Sequence, residues 1–217
     1  MGLAPYGAGG SNAVAVKNHP DTDLPHGMFL VCCAAMVMLG GTSTAAPAHY
    51  AILSTSNGVE PATAAMAVSA AGLFLLVGKF VYGDVCDRLG GKRGSTIFML
   101  ILTAGCLICS TMHDGIIPLM FAGIICCGAG FAPVTVGVSI WAADFFTGKR
   151  FAASLKWFQT CSSLGGMICS VVPGILYDRL GNYNVSYVMF GIFVLVSMVI
   201  VRRSYAIMEK AAVGERV

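Results

Sequence analysis

The sequence predicts an all-α membrane protein whose six transmembrane helices form 3+3 inverted repeats, and three observations carry that prediction. Hydrophobic residues make up 57% of the 217-residue chain and charged residues 11%, against about 45–50% and about 25% in an ordinary soluble domain. That is more apolar surface than a globule of this size can hide, so a bilayer is the natural solvent. Six apolar runs of about 20 residues follow one another along the chain. Finally, one octet recurs 91 positions on with five of its eight residues identical: Gly83-Asp84-Val85-Cys86-Asp87-Arg88-Leu89-Gly90 and Gly174-Ile175-Leu176-Tyr177-Asp178-Arg179-Leu180-Gly181. Each copy follows the second run of a triplet. A duplicated unit with an odd number of crossings must lie upside down relative to the first, which is the architecture of secondary transporters.

Residues 1–27 are polar, Gly-rich and broken by Pro20 and Pro25, and read as a disordered cytoplasmic leader. They lack the basic start, short apolar stretch and small-residue cleavage site of a secretory signal, so no cleavage is expected. The six-helix region covers residues 28–203, with repeats at 28–112 and 116–203. Its spans are Met28 to Leu53, Ala62 to Gly83, Ser95 to Met112, Ile116 to Ala143, Phe151 to Tyr177 and Val185 to Val201. Short connections make neighbouring helices antiparallel. Gly40, Gly41, Ala45, Ala46, Ala70, Ala71, Gly72, Gly165 and Gly166 are small enough to let backbones approach closely in lipid. Residues 204–217 are left as a cytoplasmic tail.

Orientation follows from Lys and Arg near the helix ends. With the N-terminus in the cytoplasm, the inner side collects Lys17, Arg88, Lys92, Arg93, Lys149, Arg150, Arg202, Arg203, Lys210 and Arg216, and the outer side only Arg179. This predicts a multi-pass inner (plasma) membrane protein with both termini cytoplasmic. The net charge of +3 then reflects topology and not affinity for nucleic acid.

No enzyme constellation emerges: H-E-x-x-H, G-x-S-x-G and a phosphate loop are absent from the sequence. Asp84, Asp87, Asp114, Asp144 and Asp178 all fall at boundaries or in loops. Of nine cysteines, Cys32, Cys33, Cys106, Cys109, Cys126, Cys127, Cys161 and Cys169 lie inside apolar helices. Cys106-x-x-Cys109 has neither strand context nor a nearby histidine pair, so the thiols read as small buried hydrophobes. Neither a metal nor a cofactor is expected.

The stretch Gly83-x-x-x-Asp87-Arg88-x-Gly90-x-Lys92-Arg93 joins a glycine suited to a tight turn to a cluster able to form ion pairs at the membrane surface. A network made in one conformation only would act as a latch. The stretch resembles the cytoplasmic signature of the major facilitator superfamily, found between the second and third helices of each six-helix half. The second copy, Pro173-Gly174-Ile175-Leu176-Tyr177-Asp178-Arg179-Leu180-Gly181-Asn182-Tyr183, is similar to the turn before the last helix in the monocarboxylate and oxalate/formate branch. The resemblance runs from about residue 28 to 203 and fits the carboxyl-terminal half of a twelve-helix carrier.

That resemblance implies secondary transport of a small solute, in particular a small organic anion such as a monocarboxylate. Access would alternate between this half and a second six-helix half, supplied by a second copy of the chain or by a separate partner. It implies that Asp144 joins the latch and that Gly174, Asp178, Arg179 and Gly181 are the second motif copy; the coupling ion stays open, a proton being one candidate. The fourth span lacks the arginine that the amino-terminal half of such carriers usually has, and the chain supplies one half. The competing expectation is a truncated or split half that folds and associates but moves nothing.

Charged residues inside membrane helices are expensive and point to function; the basic ones are Lys79 and Lys156. The resemblance implies that Lys79, four positions before the motif glycine, faces the central cavity and pairs with the anion, the alternative being a snorkelling lysine. Lys156, six residues after Arg150, suits snorkelling better, and the deeper position of a second cation reads Cys161-Ser162-Ser163. His49 follows Pro47 in a helix rich in Gly, Ser and Thr, where freed backbone groups are tolerated if they line a cavity. It either couples protons, its ordinary pKa being near 6.5, or is simply hydrated near the outer end. Gln159 carries an amide that needs partners in lipid, which helix packing or a substrate can supply, and with His49 it is a candidate to tune the fit of the solute held by Lys79. Trp157 and Phe158 are cavity lining or anchors, and Trp141 reads as an interfacial anchor.

Overall fold

The computed structural model of the protein describes residues 24–113 and 116–214; the expectations for residues 1–23 lie outside it. Among the described residues every regular element is helical, and six helices are long and apolar enough to cross a membrane. Span 1 is α1 (His26–Ala48), continued at an angle by α2 (Tyr50–Ser56). Spans 2 and 3 are α3 (Pro61–Leu89) and α4 (Gly91–Ser110). Span 4 is α5 (Ile117–Gly130), a π-helical turn at Pro133–Gly137, and α6 (Val138–Phe145). Span 5 joins α7 (Gly148–Cys169) to α8 (Val172–Leu180), and span 6 is α9 (Asn184–Gly214).

The duplicated octet is helical and not a loop. The second span does not stop at Gly83: the helix runs on through Val85, Cys86 and Arg88 to Leu89, and Gly83 meets open space. The tight turn falls at the last residue of each copy, Gly90 with φ +85 and Gly181 with φ +73, a conformation that a Cβ penalises. The expected tail is likewise helix, because α9 continues past Arg203 to Gly214.

The helix neighbours reproduce the duplication. Span 1 packs on span 5 as span 4 packs on span 2, span 1 on span 6 as span 4 on span 3, and spans 3 and 6 on each other. Exchanging 1 with 4, 2 with 5 and 3 with 6 leaves this set unchanged, as a two-fold relation between repeats requires. The two turns lie at opposite ends of the bundle. Gly90 shares one end with both ends of the described chain, where Leu24 N–H donates to the Phe145 carbonyl at 3.3 Å; this is the terminal end. At the other, distal end, Asn184 donates to the Met112 carbonyl at 2.6 Å and accepts from Asn57 at 3.2 Å, and Tyr177 stacks on Tyr183 beside Gly181.

Glycine makes the two equivalent contacts close. A methyl group on Gly40 would run into the Ser162 backbone, and one on Gly165 into the Val37 backbone, joining spans 1 and 5. Between spans 2 and 4, a methyl on Gly78 would stand 2.7 Å from the Ala129 carbonyl oxygen, and one on Gly128 2.5 Å from that of Ala71. Gly72, also expected at such a contact, meets nothing within 4 Å.

The Gly165→Ala variant is therefore expected to lose about 1–3 kcal/mol of stability through overpacking against backbone that cannot move aside. Gly72→Ala gains about 0.5–1 kcal/mol from helix propensity alone. Unfolding curves of the two purified variants in detergent check the opposite signs.

Candidate functional site

In span 4, Pro133 has no N–H to close on the Ala129 carbonyl and its ring cannot fit a regular helix. The ladder widens there into the π-helical turn, a feature that recurs at functional sites. Span 2 lies directly against it. Gly78 faces Ala129, and a methyl on Gly137 would stand 2.6 Å from the Tyr82 hydroxyl, so residues 78–82 are level with residues 129–137. Lys79 sits in this register, ten residues or about 15 Å from the end of α3 at 1.5 Å per residue. It is half-buried and makes no ion pair or hydrogen bond among the described residues. Thr135, in the turn itself, is exposed and donates to the Ala132 carbonyl at 3.2 Å.

His49 is elsewhere. It occupies the break between α1 and α2, and its Nδ1 lies 2.7 Å from the Ala45 carbonyl. A carbonyl only accepts, so Nδ1 carries the hydrogen of this bond. Tyr187 donates to the neighbouring Ala46 carbonyl at 2.9 Å, so the two side chains satisfy backbone exposed by the break. The ring lies 6.0 Å from that of Tyr183 at the distal end, about 34 Å along span 1 from its start. Gln159, about 14 Å along span 5 from Arg150, matches Lys79 in depth; it is exposed and has no hydrogen-bond partner among the described residues. Lys156 lies one turn nearer the terminal end, in a shallow groove with Trp157 and Thr160. The structure thus sets Lys79 and Gln159 at one level and leaves His49 apart.

At the terminal end the motif charges are wired through residues that the sequence reading did not single out. Arg88 Nε donates to Asp84 Oδ1 at 2.9 Å, and Lys92 bonds both oxygens of Glu209 at 2.8 and 3.0 Å. Asp87 and Arg93 form no ion pair among the described residues. Asp144 accepts from the Tyr205 hydroxyl at 2.6 Å and stands at the first turn of α4, where a carboxylate meets the positive end of the helix dipole. A methyl on Gly91 would touch both groups, so glycine permits the approach. Tyr205 and Glu209 lie on the stretch read as a tail. The recurrence of Val201, Ser204, Tyr205 and Met208 at helical spacing is the signal that locates it.

Trp141 is not an interfacial anchor. It is 0% exposed and its Nε1 donates to Ser95 Oγ at 2.8 Å, while the Tyr82 hydroxyl lies 2.9 Å from the same oxygen. This triad knits spans 2, 3 and 4 below the motif. In the second copy Gly174 meets open space, and Asp178 and Arg179 are exposed beside the Gly181 turn. The nine cysteines are free thiols, and the described residues contain no cluster able to hold a metal ion.

Residues 30–216 match the family model of the Major Facilitator Superfamily. The chain belongs to that superfamily. It is 27% identical over 176 residues to monocarboxylate transporter 13 of Bos taurus, covering 79% of this chain and 40% of that protein. Crystal structures of the E. coli fucose:proton symporter share its fold. One, of a single-site variant, has a TM-score of 0.71, and another, in the outward conformation, has 0.65. Each is 17% identical and matches 82% of this chain to 42% of the symporter. The chain therefore spans about two fifths of these relatives' length, as a six-span member of a superfamily of membrane transporters.

Tyr205→Phe is expected to cost about 1.5–3 kcal/mol, because a partly buried carboxylate loses a hydrogen bond. Lys92→Ala breaks an ion pair whose side chains are 33% and 62% exposed and costs less than about 1 kcal/mol. Thermal unfolding in detergent ranks the two.

Proposed function

We propose that the chain is one half of a secondary carrier for a small organic anion, with Lys79 as the group that holds the anion. The observation that carries this reading is an unpaired lysine within a membrane-spanning helix, level with the π-helical turn of its neighbour. A cation without a partner in a low-dielectric setting is costly, and an anionic solute supplies the partner that the described residues do not. One lysine suits one negative charge, which favours a monocarboxylate over a dicarboxylate. The likeness to a monocarboxylate transporter points the same way. Gln159, at matching depth, is a further contact on this reading, whereas Lys156 lies nearer the surface.

Spans 2 and 5 are the least buried, with 22% of their apolar windows covered against 44–56% for the others. On this reading their free faces meet a second six-helix half, either another copy or a separate chain, and the halves rock about the site between them. The terminal end is cytoplasmic, because it gathers Arg88, Lys92, Arg93, Arg150, Arg202, Arg203 and Lys210 against Arg179 at the other. The Lys92–Glu209 and Tyr205–Asp144 contacts serve as the latch of one conformation. A proton gradient drives the cycle, with His49 at the break in span 1 as the coupling residue.

Reconstitution of the purified chain in liposomes, with labelled lactate, formate, acetate or oxalate and with or without a proton gradient, tests the reading. Lys79→Ala is expected to reduce uptake at least about tenfold, as befits loss of a charge partner, and Lys79→Arg to retain it. Uptake untouched by Lys79→Ala removes the lysine from the site. A folded chain that moves none of the four anions is instead a non-transporting half.

A further inference from the structure

We infer that the groove between spans 3 and 6 at the terminal end binds the phosphate headgroup of an anionic phospholipid, and that Glu209 competes with this headgroup for Lys92. The groove has a volume of about 510 Å³ and is lined by Leu89, Lys92, Arg93, Thr96, Ile97, Arg202 and Glu209. Three of these residues are cations and one is a carboxylate. Glu209 neutralises Lys92, whereas Arg93 and Arg202 have no ion-pair partner among the described residues. Two positive charges therefore remain on one small surface. Thr96 directs its hydroxyl to the Lys92 carbonyl at 2.7 Å, so the cations are the polar groups left for a ligand.

What lies below the groove identifies the occupant. Ile97, Leu100 and Leu107 are exposed along one stripe of α4, and Val199, Leu195 and Ile192 are exposed along the stripe of α9 that descends from Arg202. These spacings keep each set on one helix face. Cations above two parallel apolar stripes match a molecule with an anionic head and two hydrocarbon tails. A soluble anion would use the cations and leave the stripes bare. Basic pockets between membrane helices are where anionic headgroups settle, each Lys or Arg contributing about a fivefold gain in binding.

The position of Lys92 gives the lipid a consequence. Lys92 lies two residues past the Gly90 turn, in the signature stretch that opens with the first octet, and is tied to span 6 through Glu209. A phosphate entering the groove offers Lys92 a second anion and weakens that tie, so lipid charge biases the contact between the motif turn and span 6.

The test is native mass spectrometry of the full chain, delipidated in detergent and titrated with dioleoylphosphatidylglycerol or dioleoylphosphatidylcholine. The wild-type chain is expected to retain the glycerol lipid preferentially. Arg93→Gln and Arg202→Gln each lower that retention about fivefold, whereas Glu209→Gln raises it. An increase cannot arise from a damaged fold. Equal retention of both lipids, or a Glu209→Gln variant that binds phosphatidylglycerol no better than wild type, overturns the proposal. Displacement of the lipid by millimolar inorganic phosphate shows a free-anion site and overturns it too.

Discussion

Close contact between helix backbones is the condition on which the rest of this structure depends. Lipid tails are as apolar as leucine, so helices gain nothing by hiding apolar faces from them and must associate through packing and hydrogen bonds. Gly40 and Gly165 supply that contact between spans 1 and 5, and Gly78 and Gly128 between spans 4 and 2. Once those pairs are set, the Tyr82, Ser95 and Trp141 triad has its geometry, and Pro133 can open span 4 against a neighbour that fits the widened turn. Lys79 owes its place to the same contact, being next in sequence to Gly78.

The two repeats share architecture but not chemistry. The octet copies agree in helix and in a terminal glycine of positive φ, although ψ differs, 153 at Gly90 against 6 at Gly181. Shifted by the same 91 positions, Lys79 corresponds to Ser170, Tyr82 to Pro173 and Pro133 to Thr42. The cation with no partner among the described residues, the phenol bonded to Ser95 and the π-helical turn thus belong to one side of the two-fold relation. Duplication built a symmetric frame, and the residues with chemical consequences are those that depart from it.

Much of the frame was legible because it is local. Apolar runs, an octet repeated at a fixed interval and glycines at helical spacing are properties of neighbouring positions, and they located all six spans and the inversion. The site was less legible because it rests on pairs distant in sequence. Asp144 meets Tyr205, Lys92 meets Glu209 and Tyr187 meets Ala46, and no periodicity in one segment reveals a partner in another. Trp141 shows the limit most plainly. Its type and place near a span end suggest an anchor, and only the approach of Ser95 from span 3 makes it core. His49 has the composition of a proton carrier, yet the structure also gives it the work of capping a broken helix.

Span 6 is a single unbroken helix of 31 residues, about 46 Å from end to end. Near its start Asn184 is bonded to spans 1 and 3 through Asn57 and Met112, and near its finish Tyr205 and Glu209 are bonded to Asp144 and Lys92. One continuous helix is therefore anchored at both of its tips. Each rim of the bundle is thus tied to the other through the length of one helix, which spans the whole depth between them.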